Sequence, residues 1–213
     1  MSETVKIYRY EGKQATVTWN EARCIHAGEC THGLPSVFSS KHDPWGQPDN
    51  ASLDALAAVI DRCPSGALVL ERPAERTRGA DATNSVTLVA DGPLAFRGRV
   101  KIADAACETR VTLCRCGASA NKPYCDHSHA KAGFRHEGEL APAGEPSVGV
   151  VAEGVELVVS PTKNGPLHCT GSMTIVGTDG AHTVTAQTWL CRCGGSSRKP
   201  FCDGTHRKIG FAG

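Results

Sequence analysis

Two stretches of this chain have the same residue types at the same spacing: CRCGASANKPYCDHSHAKAGF at 114–134 and CRCGGSSRKPFCDGTHRKIGF at 191–211. Each reads Cys-x-Cys, then eight residues, then Cys, three residues and His. The candidate ligands are Cys114, Cys116, Cys125 and His129 in the first cassette, and Cys191, Cys193, Cys202 and His206 in the second. In an extended segment, residues i and i+2 point to the same side, so each Cys-x-Cys pair can face one ion. Asp126 and Asp203 are good N-caps for a short helix, and a cysteine and a histidine four apart then share one helical face. The result is two pairs of donors around a small site. Three thiolates and an imidazole suit tetrahedral zinc or an iron–sulfur cluster. Zinc sites usually draw cysteines from C-x2–4-C knuckles. The spacing here fits better a rhomb with two ligands on each iron, with a zinc-stapled interaction module as the alternative.

These residues resemble the CDGSH iron–sulfur domain of the mitoNEET-like family, with its pattern C-x-C-x2-S/T-x3-P-x-C-D-G-S/A/T-H. In the second cassette Cys191, Cys193, Ser196, Pro200, Cys202, Asp203, Gly204, Thr205 and His206 match throughout. In the first, Cys114, Cys116, Ser119, Pro123, Cys125, Asp126, Ser128 and His129 match, and His127 replaces the glycine. The resemblance implies a 2Fe–2S cluster at each cassette, one iron held by the Cys-x-Cys pair and the other by Cys and His. Replacing one thiolate by neutral imidazole removes a negative charge and raises the potential. Protonation of the imidazole competes with the metal bond, so acid is expected to loosen the cluster. The expected roles are electron transfer and cluster transfer, toward a redox partner protein or a cluster acceptor. His127 either faces water or perturbs His129, making the two centres differ. Lys122, Lys199, Arg115 and Arg192 either offset cluster charge, dock an acidic partner or are solvated surface. Ser119 and Ser196 either donate to cluster sulfur or cap a turn.

A third set lies nearer the start: Cys24 and Cys30 in CIHAGEC, and Cys63 in CPSGAL. Bacterial ferredoxins use C-x2-C-x2-C with a remote Cys-Pro. Here Ala27 occupies the second position. Three cysteines suit a 3Fe–4S cluster, or a 4Fe–4S cube completed by another ligand. His26 and His32 are close in sequence, although loop histidines are usually solvated. The stretch resembles the divergent mono-cluster 4Fe–4S ferredoxin domain found beside CDGSH modules, notably in CIHAGEC, VFSSKHDPWGQPD and CPSGAL. Because of Ala27, a shell that has lost its cluster is the alternative.

The elements that position these residues can be read around them. VKIYRY and ATVTW alternate about EGKQ, which predicts a hairpin. Asp49, Asn50 and Ser52 precede LDALAAVI, whose apolar residues share a helical stripe. ALVL (67–70) reads as a strand. Residues 72–84 read as a linker and 137–147 as a connector. DGPLAFRGRVKI (91–102) is repeated as NGPLHCTGSMTI (164–175), and each copy leads through a β-prone run into its cassette. The cassettes begin 77 residues apart, which indicates a duplicated β-rich unit. The expected fold is α+β: a small ferredoxin-like unit at 1–71, then CDGSH units at 85–136 and 148–213. The two units are expected to pair as a β-rich pseudo-dimer with short helices at the motifs, in a monomer with an internal pseudo-two-fold.

Composition sets the remaining bounds. The formal net charge of +1 disfavours a polyanion-binding surface, so nucleic acid is not an expected partner. No apolar run has membrane length and MSETVKIYRY is no signal peptide, so a cytoplasmic protein is expected. Eleven cysteines, an odd count, argue for reduced thiols and metal sites over disulfides. Cys107 and Cys169 fall outside the three sets and read as small core residues. No G-x-S-x-G, P-loop or dinucleotide fingerprint is present, and no catalytic residue or enzymatic activity is expected.

Overall fold

Strands β1 (Ile7–Glu11) and β2 (Thr16–Asn20) form where the sequence alternates, and they pair antiparallel around a turn closed by Gly12 N–H donating to Ala15 O. The computed structural model describes residues 6–71, 81–141 and 151–213. The chain divides into two units, Met1–Gly79 and Ala80–Gly213. In the first, a short helix α1 (Glu29–Gly33) and a longer α2 (Leu53–Asp61) precede β3 (Leu68–Glu71), which pairs antiparallel with β2. Ser52 caps α2, its hydroxyl accepting from Ala55 N–H, and this holds a donor that would otherwise be orphaned. Leu56, Val59 and Ile60 put the apolar stripe of α2 against Val17, Phe38 and Leu68. Each such buried side chain contributes about 1.5–3 kcal/mol. Trp45 closes the cluster, with its ring 5.1–5.7 Å from those of Phe38, Trp19 and Tyr10.

The second unit is built on one sheet to which both repeats contribute. Its elements are β4 (Asn84–Leu88), β5 (Leu94–Ile102), β6 (Glu108–Leu113), α3 (Ser128–Lys131), β7 (Leu157–Pro161), β8 (Leu167–Val176), β9 (His182–Leu190) and α4 (Thr205–Lys208). Strand β4 pairs antiparallel with β5 of its own repeat and parallel with β8 of the other. Strand β7 does the reverse, antiparallel with β8 and parallel with β5. β6 extends from β5 and β9 from β8. Period-2 alternation buries Val86, Phe96, Leu113, Leu157, Met173 and Leu190 in one core. The glycine repeated in both copies sits where the ladder shifts register. A Cβ on Gly98 would lie 2.9 Å from the Asn84 Cα, and one on Gly171 would lie 2.4 Å from Glu156 O. The whole is strand-rich, with few and short helices.

Several expectations need correction. Residues 72–80 and 142–150 lie outside the described residues, but both predicted connecting segments reach too far into structure. Asn84 is buried, not linker. Its side chain donates to Val155 O and Ser172 O and accepts from Arg99 N–H, tying the repeats together. Leu140 packs on the core, and Ala141 N–H donates to Lys199 O, so 137–141 is no loose connector. Cys169 is buried in β8 as expected, its thiol pushed up to about 12 by burial. Cys107 is exposed, because it lies in the turn between β5 and β6 rather than in a strand. Among the described residues, no helix is long and apolar enough to cross a membrane.

Candidate metal centres

Each cassette begins where a strand ends. After β6, Cys114 N–H donates to Pro123 O and Cys125 N–H to Thr112 O. These two bonds lay the Pro-x-Cys segment along the end of the strand and bring the third cysteine beside the first two. After β9, Cys191 N–H donates to Pro200 O and Cys202 N–H to Trp189 O in the same way. Helices α3 and α4 then present His129 and His206.

The sulfurs of Cys114 and Cys116 are 3.7 Å apart, and those of Cys191 and Cys193 are 3.6 Å apart. Cys125 Sγ lies 3.4 Å from His129 Nδ1, and Cys202 Sγ lies 3.3 Å from His206 Nδ1. Two sulfurs, each ~2.3 Å from one tetrahedral metal, would be about 3.7 Å apart, and a sulfur and an imidazole nitrogen about 3.5 Å. All four pairs therefore have the spacing of two ligands on one metal. Among the described residues, no three His, Cys, Asp or Glu side chains are grouped to hold a single ion.

The local helix geometry differs from the sequence expectation. The cysteine lies outside the helix, and the cap position is His127 or Gly204, in the left-handed region at φ 70° and 85°. Asp126 and Asp203 sit one residue earlier and still accept the first helical N–H, from Ser128 and Thr205. Their other oxygens accept from Ala120 and Ser197 N–H. Thr205 and Ser197 hold the Asp203 carboxyl well below the usual carboxylate range. Burial pushes Asp126 up, but the bonds from Ser128 and Ala120 more than offset it. His127 does not simply face water. Its ring meets that of His129 edge-on, with centroids 4.8 Å apart.

The titration of these groups suits a metal site. Burial pushes the Cys125 thiol up to about 12 and Cys193 up to about 11. Cys114 and Cys116 share a hydrogen bond, so the pair gives up one proton readily and holds the second. Burial, then the neighbouring His127, lowers the His129 imidazole from its ordinary value. Thiols that stay protonated until a cation arrives release protons when a metal binds.

Of the two roles open to the cassette serines, the structure shows the turn. Ser119 and Ser196 are buried, but their hydroxyls donate to Tyr124 O and Phe201 O and hold the turn. Ala118 and Gly195 N–H point at the Cys116 and Cys193 sulfurs, 3.4 Å away. Lys122 and Lys199 are folded back onto the Ser119 and Ser196 carbonyls.

Arg115 and Arg192 are not surface cations. Arg115 is fully buried, donating to Gly92 O at 3.0 Å and Val89 O at 2.6 Å, with His136 Nδ1 3.0 Å away. Arg192 donates to Gly165 O, Thr162 O and Gly213 O. Each guanidinium lies over the phenylalanine that ends its own cassette, Phe134 at 5.2 Å and Phe211 at 5.3 Å. The Gly-Pro-Leu turn, the central arginine and the final phenylalanine therefore form one assembly in each repeat. Burial pulls the Arg115 guanidinium down to about 10, and the opposite cassette's Cys191 pulls it back up.

The two cassettes meet at a backbone bridge between Cys116 and Cys193. A Cβ on Gly117 would lie 2.7 Å from Cys193 O, and one on Gly194 would lie 2.6 Å from Cys116 O. Both glycines have positive φ. Gly194→Ala is expected to cost about 2–4 kcal/mol, since backbone on both sides must move. Because the bridge is shared, iron content should fall at both cassettes. Denaturant melts and metal analysis check this, and loss confined to the second cassette would contradict it.

Matches to known proteins follow this layout. The chain matches the model described as iron-binding zinc finger CDGSH type at residues 91–130 and again at 164–207. The chain carries two CDGSH units in tandem. The CDGSH units follow a domain at residues 10–73 that matches the divergent 4Fe-4S mono-cluster family. The chain is also similar to the uncharacterized protein YjdI of Escherichia coli strain K12. They are 42% identical over 59 residues, 28% of this chain and 78% of YjdI. The YjdI of strain O157:H7 matches to the same extent. In the mono-cluster domain, Cys24, Cys30 and Cys63 line one cavity of about 280 Å³, together with Ala27 and His26. Burial, then the nearby Cys63 and Cys24, raises the Cys30 thiol. His26, in the loop before α1, and His32, in α1, are both exposed.

Proposed function

We propose that this iron–sulfur protein carries two 2Fe–2S clusters, each held by three cysteines and one histidine, and that it transfers electrons or whole clusters. The observation that carries the reading is the pairing of donors. Cys114 with Cys116, Cys125 with His129 and their counterparts each have the separation of two ligands on one metal. Donors grouped in twos fit a two-metal rhomb. A mononuclear zinc staple needs all four around one point. When bound, the cluster supplies a one-electron couple and a histidine-held edge that acid can open.

The protein's own groups serve that cofactor. Ala118 and Gly195 N–H donors offset charge on cysteine sulfur, and the two buried arginines place positive charge beside the thiolates. Both effects raise the potential. The reciprocal strand pairing and the Cys116–Cys193 bridge support an internal pseudo-dimer. In this reading the N-terminal domain holds one further cluster on Cys24, Cys30 and Cys63, either 3Fe–4S or a cube completed by another ligand. The protein is a carrier without catalytic residues of its own, and its partners are a redox protein or a cluster acceptor.

Visible absorption, iron and acid-labile sulfide measured on anaerobically purified protein test the reading. A red-brown protein with two irons and two sulfides per cassette is expected. A colourless protein with one zinc per cassette would end it.

A further inference from the structure

The two repeats match at the ligands and differ beside them. In the second, His168 on β8 pairs across the strands with Trp189 on β9. Their rings stack at 4.0 Å and 13°, and Gln187 Nε2 lies 2.7 Å from His168 Nε2. At the same register in the first repeat stand Ala95 and Thr112. Trp189 is 44% exposed and forms a wall of an open cleft of about 770 Å³. Phe211, Lys163 and Arg207 also line this cleft, as do Cys202 and His206. Counting from the Gly-Pro-Leu turn, Lys163 corresponds to Ala90, and by cassette position Arg207 corresponds to Ala130. Of this wall, Trp189, Lys163 and Arg207 therefore belong to the second repeat alone.

The cleft is held in shape from behind. Asn164 N–H donates to Gly213 O, Gly213 N–H donates to Asn164 Oδ1, and Arg192 joins Thr162 O to Gly213 O. Trp189 is braced by His168 on one face, so little freedom is lost when a ring stacks on the other. Lys163 and Arg207 form no ion pair among the described residues. Asp203, beside Cys202 in the chain, has both carboxylate oxygens engaged by backbone N–H groups.

We propose that this cleft binds a planar aromatic anion of mononucleotide size, with its ring on Trp189 and its anionic group between Lys163 and Arg207. The volume suits one small molecule. A flat ring on indole and an anion between two cations use what the wall presents. The site stands on the cleft itself and not on the type of metal beside it.

Calorimetry on the purified holoprotein tests the proposal. 2-Naphthyl phosphate should bind one-to-one, and 2-naphthol and inorganic phosphate at least about tenfold more weakly. Trp189→Thr should weaken binding about tenfold or more, and the surface pair Lys163→Gln with Arg207→Gln about fivefold or more. AMP binding more tightly than 2-naphthoate identifies a nucleotide-like ligand, and the reverse identifies an aromatic acid. The proposal is overturned if 2-naphthyl phosphate does not bind, binds Trp189→Thr as tightly as the parent, or binds no better than phosphate alone.

Discussion

Arg115→Met is expected to destabilise the Ala80–Gly213 unit by about 3–5 kcal/mol, more than any surface charge change. The guanidinium donates to two loop carbonyls, Val89 O and Gly92 O, and stacks against Phe134. Methionine fills much of the volume but supplies no donor. The buried Gly92 O then loses its side-chain donor, at about 1–3 kcal/mol, and Val89 O keeps only the bond from Gly92 N–H. His136 loses a partner as well, and the turn that starts β5 loses its anchor. Denaturant unfolding followed by far-UV circular dichroism gives the number. Arg192→Met should cost less, because one of its acceptors, Gly213 O, belongs to an exposed residue that solvent can serve. A loss below about 1 kcal/mol for Arg115→Met would mean that the loops stand without the cation.

Arg115 also marks the limit of what the sequence discloses. An arginine between two candidate ligand cysteines looks like a surface cation, because arginine is rarely fully buried. The signal that could have placed it was the recurrence of three separated features, Gly-Pro-Leu, Cys-Arg-Cys and Gly-Phe, at corresponding places in both copies. Local rules served better elsewhere. The hairpin of β1 and β2 follows from alternation, α2 from its Ser52 cap and apolar stripe, and the paired donors from the cassette spacing. What failed was non-local. The parallel pairing of β4 with β8 joins segments far apart in sequence, and it buries Asn84 in what reads as polar linker. Cys107 had no periodicity behind it and lies exposed. For the cassette serines the sequence left two roles open, and the structure shows the turn-holding one, with Ala118 and Gly195 N–H pointing at sulfur. In the mono-cluster domain, the spacing of Cys24, Cys30 and Cys63 anticipated a shared cavity. The wall of that cavity, with Trp19 and Trp45, depends on packing that no short motif encodes.

His206→Cys should make the second centre resist acid, slowing the loss of its visible band at mildly acidic pH by about tenfold or more. The sign follows from the donor. An imidazole bound to metal competes with a proton in the mildly acidic range, so lowering the pH opens that bond first. A metal-bound thiolate resists protonation to lower pH, and the exchange removes the weakest point in the set. The same exchange adds one negative charge to the centre and should lower its potential by on the order of 100 mV. Position 206 tolerates the change sterically better than position 129, since His206 is only half-buried, whereas His129 is buried and packed against His127. The first centre serves as an internal control, because its own His129 is untouched. Stopped-flow bleaching at two pH values should therefore resolve two phases of equal amplitude in the variant, one as fast as in the parent and one slowed. A variant that bleaches at the parent's rate in both phases would remove His206 from the ligand set. It would also remove the acid-sensitive release that this histidine is proposed to provide.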